Sequence, residues 1–275
     1  MVRSRKDYND LSVRAARSVL LELVRILGEY RNDIVVVGGW VPALLFDNVE
    51  EKHIGSIDVD VALNHRTINN EAYKTIHDLL TSRGYIEGKQ PFIFFRTVNV
   101  DGINVEVELD LLAGEYKGTA KSHRTQKVQG LKVRKARGCE LAFEQQSETI
   151  LEGTLPGGAK DSGSVKVAAI VPFIIMKGMA LHDRIKEKDA WDIYYCVRHY
   201  AGGNEKLAEA FRPYLGNSMV TEGLRKIAEK FASIDHYGPT AVADFDEIAD
   251  PEERAFRQRD AFERVIDLLS QLGIK

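Results

Sequence analysis

Apolar positions in the first part of the chain switch between two periods. Leu11, Val13, Ala16, Leu20, Leu23, Val24 and Leu27 recur at helical spacing and predict an amphipathic helix ending near Gly28. Four β-branched residues, Ile34 to Val37, predict a short buried strand. Gly38-Gly39-Trp40 interrupts that run, and a short helix is expected from Pro42 to about Phe46, with Trp40 as a wedge packing against it. The polar stretch "DNVEEKHIGS" reads as a loop. Residues 57–63, "IDVDVAL", then alternate: Ile57, Val59 and Val61 share one face and Asp58 and Asp60 the other, which is the period of a strand. Residues 68–82 read as a helix. "PFIFFRTVNV" and "INVEVELDLL" read as strands joined by Asp101-Gly102 at hairpin spacing.

The character changes after Tyr116. Short strand-like pieces, "KVQGLKV" and "LAFEQQ", alternate with Gly-rich turns such as "PGGAKDSGS", and from Val171 onward the pattern is helical, with Pro172 expected at the first helical position. The expected organisation is a mixed α/β core over residues 1–115, a β-extension or connecting region over 116–167, and a helical C-terminal domain over 168–275. The fold class is therefore α+β, a mixed sheet with helices followed by a helical domain.

Composition narrows the function classes. A chain of 275 residues builds one large domain or two modest ones. A net charge of −3 excludes a uniformly basic nucleic-acid coat but leaves room for a local patch. Such a patch exists: no acidic residue falls between Glu115 and Glu140, whereas Lys117, Lys121, Arg124, Lys127, Lys132, Arg134, Lys135 and Arg137 do. That segment suits an RNA backbone, or it is a solvated hairpin facing the acidic stretch from Glu140 to Glu152. Cys139 and Cys196 belong to no C-x-x-C pair, so neither a disulfide framework nor a zinc site is indicated. No apolar run reaches ~18 residues, and "MVRSRKDYND" lacks the apolar middle of a signal peptide, so a cytoplasmic protein without a membrane segment is expected.

The carboxylates carry the candidate chemistry. Alternation puts Asp58 and Asp60 on one strand face, with roots on the order of 7 Å apart. Either this is an exposed strand with a polar face, or a hard divalent cation with oxygen ligands lies between them. In "VEVELDLL", Glu106, Glu108 and Asp110 share the face opposite Val105, Val107, Leu109 and Leu111. If this strand lies beside the first with apolar faces turned to a common core, Asp110 joins the cluster. Glu106 and Glu108 read as solvated.

A strand, Gly-Gly, a helix, D-x-D on the next strand and a third Asp on a later one resembles the nucleotidyltransferase superfamily with the DNA polymerase β-like fold. The stretches that carry the resemblance are "VVVGGW", "SIDVDVAL" and "VELDLL". The segment "VPFIIMKGMALHDRIKEKDAWDIYYC" is similar to the AbiEii family, which includes the MenT toxins of type IV toxin–antitoxin pairs. The likeness covers roughly residues 8–200. Two features depart from the pattern: "DNVEEKHIG" lengthens the gap between Gly39 and Asp58, and Gly39 stands where a phosphate-binding Ser is common.

The resemblance implies a transfer of a nucleoside monophosphate from an NTP to an acceptor hydroxyl, with Mg2+ or Mn2+ held by Asp58, Asp60 and Asp110. Gly38 and Gly39 would offer backbone amides to the triphosphate, helped by Ser56, with Lys177 neutralising it. Arg184, Asp189 and Asp192 would join this site, Asp192 as the better catalytic candidate of the two aspartates. The acceptor implied is an RNA such as a tRNA 3′ end, with an antitoxin protein as a partner. An aminoglycoside- or lincosamide-type small molecule or a protein hydroxyl is the alternative acceptor. A different class of reading is an inactive module that binds nucleotide or a partner. On residue type alone, Lys177 in "FIIMKGMAL" either snorkels to the surface or meets an anion, and Trp191, Tyr194 and Tyr195 either stack a base or fill the core.

Overall fold

The β-branched and alternating segments pair into one mixed sheet in the computed structural model, which describes residues 4–64, 67–68, 70–90, 92–113, 125–128 and 131–274. Its strands are β1 (Ile34–Val37), β2 (Val59–Leu63), β3 (Ile86–Glu87), β4 (Ile93–Val100), β5 (Ile103–Ala113), β6 (Thr125–Val128), β7 (Leu131–Lys135), β8 (Gln146–Thr154) and β9 (Lys160–Ala168). The spatial order is β3-β4-β5-β2-β1-β9-β8, and β6 and β7 form a hairpin attached through β7 beside β5. The pairs β1/β9, β2/β5 and β5/β7 are parallel and the others antiparallel. Asp101 (φ 52°) and Gly102 (φ 85°) both take the left-handed conformation, the turn that matches strand twist in a two-residue hairpin.

Among the described residues, four α-helices accompany the sheet: α1 (Asp10–Ile26), α2 (Val41–Leu45), α3 (Asn70–Ser82) and α4 (Leu141–Glu144). The Asn9 side chain caps α1 by accepting from the Ser12 amide at 2.9 Å. Leu20, Leu23 and Val24 of α1, with Leu27 just past its end, then lie over Ile34, Val36, Val61 and Val165. The approach is close. A Cβ on Gly163 of β9 would lie 2.8 Å from the Val24 side chain.

The remaining helices are α5 (Ile170–Asp183), α6 (Glu187–His199), α7 (Gly203–Phe211), α8 (Ser218–Lys230), α9 (Tyr237–Phe245) and α10 (Pro251–Gln271). Asp250 caps α10 by accepting from the Glu252 and Glu253 amides, with Pro251 at the first helical position. Helices α5 and α8 cross at Gly178 and Gly223, where a Cβ on Gly178 would sit 2.7 Å from the Gly223 carbonyl oxygen. The chain divides into two compact units: a helical one made of the residues up to Asp7, Phe46–His53 and everything from Ile170, and a sheet-containing one made of Tyr8–Leu45 and Ile54–Ala169. No described helix is long and apolar enough to cross a membrane.

Several local expectations need correction. Ile57 and Asp58 precede β2 because its ladder with β1 starts at the Val37–Asp60 pair and its ladder with β5 at the Val59–Leu109 pair. In "LAFEQQ", Leu141–Glu144 is a helical turn and the strand starts at Gln146; both Leu141 and Ala142 are buried, which a half-exposed strand would not allow. "KDSGS" belongs to β9 rather than to a turn, since only 155–159 reverses the chain. Helix α5 starts at Ile170, so Pro172 is its third residue; its missing N–H is harmless there because the first turn has no helical acceptors. The "DNVEEKHIG" loop does not stay with the sheet: Phe46–His53 belongs to the helical unit. Lys117, Lys121 and Arg124 of the basic segment lie outside the described residues.

The α5/α8 crossing yields the first prediction. Gly178→Val is expected to lower unfolding free energy by ~1–3 kcal/mol through overpacking against Gly223 and Ile227, read by urea denaturation.

Candidate active site

In the sheet-containing unit, strand register alone brings two of the three acidic residues together. Asp60 pairs with Val37 of β1 on one side and with Asp110 of parallel β5 on the other, so both carboxylates leave the sheet from one face. Their flanking residues Val59, Val61, Leu109 and Leu111 turn to the opposite face and are fully buried. Asp110 is only 6 % exposed, whereas Asp58 and Asp60 are half-buried. Glu106 is exposed, in keeping with a solvated residue.

The Gly-Gly turn lies directly against this pair. Gly38 takes φ +68°, and a Cβ there would fall 1.9 Å from Asp60 Oδ2. Only glycine fits, for both conformational and steric reasons. Gly39 and Trp40 complete a single 3-10 turn that runs into α2. Trp40 has a second job beyond packing: its indole N–H donates to the Asp58 carbonyl oxygen at 2.9 Å. Ser56 is buried, and its hydroxyl donates to Asp58 Oδ1, so in this arrangement it holds a carboxylate rather than facing open space. Cys139 has its thiol pushed up by burial and then by the charges of Glu140 and Asp60, which keeps it an inert thiol.

Three carboxylates with hard oxygen donors suit a divalent cation in kind, and the Asp60–Asp110 register supplies neighbouring ligands. Their oxygens are not drawn around one point, however: among the described residues no group of three or more His, Cys, Asp or Glu side chains is gathered to hold an ion. The donor type and the Asp60–Asp110 register are what fit a hard divalent cation here.

In the helical unit, the other sequence-selected residues form a buried ion cluster. Lys177 Nζ lies 2.7 Å from Asp189 Oδ1 and 2.7 Å from Asp192 Oδ2. Arg184, one residue beyond α5, pairs with both oxygens of Asp189 at 2.8 and 3.1 Å. Asp192 also accepts from Lys188 Nζ at 2.8 Å and from His53 Nε2 at 3.0 Å. A carboxylate only accepts, so the His53 proton sits on Nε2. Burial opposes ionisation of both aspartates, but Lys177 and Arg184 hold Asp189 down to about 2, and Lys177, Lys188 and His53 hold Asp192 well below its ordinary range. Burial likewise opposes the Lys177 charge, and the two aspartates outweigh it and raise its pKa. For His53, burial and then Lys188 prevail over Asp192, leaving the imidazole at about 4 and neutral near pH 7.

This geometry gives Asp192, which is inaccessible, the work of an anchor for two lysines and a histidine. Arg184, with 46 % of its side chain exposed against 9 % for Lys177, is the cation of the cluster most accessible to an anion. The aromatic residues are core: Trp191, Tyr194 and Tyr195 are buried, and the Trp191 N–H donates to Asp246 at 2.9 Å. Sequence reasoning missed Lys188 and His53. Lys188 was within reach, since it stands four residues before Asp192 on one helix. His53 carried no local signal, because 139 residues separate it from its partner.

No protein-family model and no curated protein matches the chain. Two solved structures from Helicobacter pylori are similar over nearly their whole length. JHP933 is 14 % identical, with a TM-score of 0.41 and 94 % of each chain covered. A protein described as a "putative nucleotidyltransferase" is 15 % identical, with a TM-score of 0.40 and 94 % of this chain and 96 % of its own covered. Functional assignment therefore rests on this chain's own residues.

Two predictions follow from the ion cluster. Lys177→Ala leaves two buried aspartates each short of a cation and is expected to cost ~3–5 kcal/mol of stability, measured by urea unfolding. Second, native His53 binds its proton near pH 4 whereas an unfolded histidine does so near 6.5. Between those values the unfolded chain takes up more protons, so stability present above pH 6.5 is lost as pH falls towards 4. His53→Gln, which keeps an N–H donor without that titration, should flatten this part of the stability–pH curve relative to the parent.

Proposed function

We propose that the chain is a divalent-metal-dependent nucleotidyltransferase that moves a nucleoside monophosphate from an NTP to an acceptor hydroxyl, with pyrophosphate as the leaving group. One observation carries the reading: Asp60 and Asp110 are direct neighbours on parallel strands, with Asp58 two residues before and a glycine turn seated against the Asp60 carboxylate. Two adjacent carboxylates with a backbone turn at their edge match the needs of a cation and a phosphate chain in one place.

In this reading Asp58, Asp60 and Asp110 hold Mg2+ or Mn2+, which when bound would neutralise the triphosphate and acidify the acceptor hydroxyl. Asp110, buried and beside Asp60, would orient that hydroxyl and take up its proton. The Gly38-Gly39 turn would bring amide N–H groups to the phosphates, since neither glycine carries a side chain of its own. In the helical unit, Asp189 and Asp192 keep Lys177 charged, and Arg184 is the more accessible cation. The acceptor we favour is an RNA 3′ end, supported by eight basic residues and no acidic one between Glu115 and Glu140. A toxin-like activity on tRNA, with a cognate antitoxin, is the form of this reaction that the AbiEii resemblance supports.

The test is incubation of the full chain with each α-labelled NTP, Mg2+ and total RNA, beside protein-only and aminoglycoside arms. Label on RNA is expected, and Asp60→Asn should reduce it by ~100-fold or more, since the variant keeps the shape but loses the charge. Label on the aminoglycosides alone would move the acceptor to a small molecule. NTP binding with no labelled product in any arm would sink the enzyme reading in favour of a binding module.

A further inference from the structure

The Gly38-Gly39-Trp40 turn touches the D-x-D pair twice, and the second contact has a separate meaning. Asp60 is fixed by the sheet, being paired with Val37 on one side and Asp110 on the other. Asp58 has no such support, because the ladders of β2 start at Val59 and Asp60. Its carbonyl oxygen instead accepts from the Trp40 indole N–H at 2.9 Å. Trp40 is 2 % exposed, so donor and acceptor satisfy each other away from water.

The loop between them is shaped to that indole. Gly55 takes φ +79°, and a Cβ there would press within 3.2 Å of both the Trp40 ring and Val13. That close turn delivers Ser56, 3 % exposed, to the Asp58 carboxylate, where its hydroxyl occupies Oδ1 and leaves Oδ2 for another partner. Main chain and side chain of Asp58 are thus held by different residues.

We propose that Trp40 and Ser56 are positioning residues for Asp58: the indole N–H fixes its main chain and the Ser56 hydroxyl fixes its carboxylate, in place of the strand ladder that fixes Asp60. This deepens the nucleotidyltransferase reading and rests on it. It also changes the meaning of Ser56, which serves the carboxylate instead of the phosphate. A hydrogen bond behind a ligating carboxylate commonly changes metal affinity by 10–100-fold when removed.

Trp40→Phe keeps an aromatic ring and deletes the donor; Ser56→Ala deletes the hydroxyl alone. Mn2+ is titrated into the full chain with free ion read by electron paramagnetic resonance, and kcat and NTP KM are measured on the acceptor found above. Far-UV circular dichroism and melting curves place every assay well below the midpoint. Both variants are expected to bind Mn2+ about tenfold more weakly and to lose kcat by ~10-fold or more, with NTP KM within about twofold of the parent. A packing role for Trp40 would lower the melting point and leave Mn2+ affinity unchanged, which would overturn the proposal. Should Trp40→Phe fail to fold, Ser56→Ala decides by the same Mn2+ titration, parent-like binding overturning the assignment. A parent chain that neither binds Mn2+ nor labels any acceptor brings down the nucleotidyltransferase reading itself, an outcome distinct from variants that match an active parent.

Discussion

Asp60 and Asp110 stand side by side on parallel β2 and β5, and much of the sheet-containing unit follows from keeping them there. Like charges at neighbouring positions, roughly 5 Å apart at their roots, repel by on the order of 3 kcal/mol at an effective dielectric of about 20. The opposite face offsets this by burying Val59, Val61, Leu109 and Leu111, against α1 in the case of Val61. Slipping either strand by one residue would relieve the carboxylates only by turning that strand's two apolar side chains outward, Val59 and Val61 or Leu109 and Leu111. The acidic pair is therefore locked in by hydrophobic register, and Gly38 is the turn residue that tolerates it.

The helical unit solves a related problem by the opposite route. Asp189 and Asp192 are fully buried, and they remain ionised because Lys177, Lys188 and Arg184 converge on them. An apolar cluster of equal volume would commonly be as stable or more so, so such a cluster defines geometry more than it adds stability. It draws in His53 from the Phe46–His53 segment, and the same segment is held by the Tyr195 hydroxyl, which donates to the Glu51 carbonyl at 2.7 Å. The loop that looked like an insertion is a docked part of the helical unit.

Legibility varied with the range of the interactions. The α1 stripe, the Asp101-Gly102 hairpin and the parity of Asp60 with Asp110 were visible because helix and strand periods act over a few residues. "LAFEQQ" misled because its apolar residues satisfy two periods over too short a window, and burial of Leu141 and Ala142 chose the helical turn. Asp58 looked like an interior strand residue by alternation; the end of pairing at Val59 left it outside the strand and made a side chain its support.

The sequence by itself determined the α+β class, the strand face that Asp60 and Asp110 each take, and the need for glycine beside a strand end, since these depend on local period and backbone freedom. Tertiary structure decided which strands are neighbours, and with that whether Asp60 meets Asp110 at all. It also decided that Trp40 is a donor, that Ser56 serves Asp58, and that Lys177 is enclosed by Asp189 and Asp192. Each of these is a contact whose energy depends on burial and on a partner's direction, and neither quantity is written in the spacing of residues along the chain.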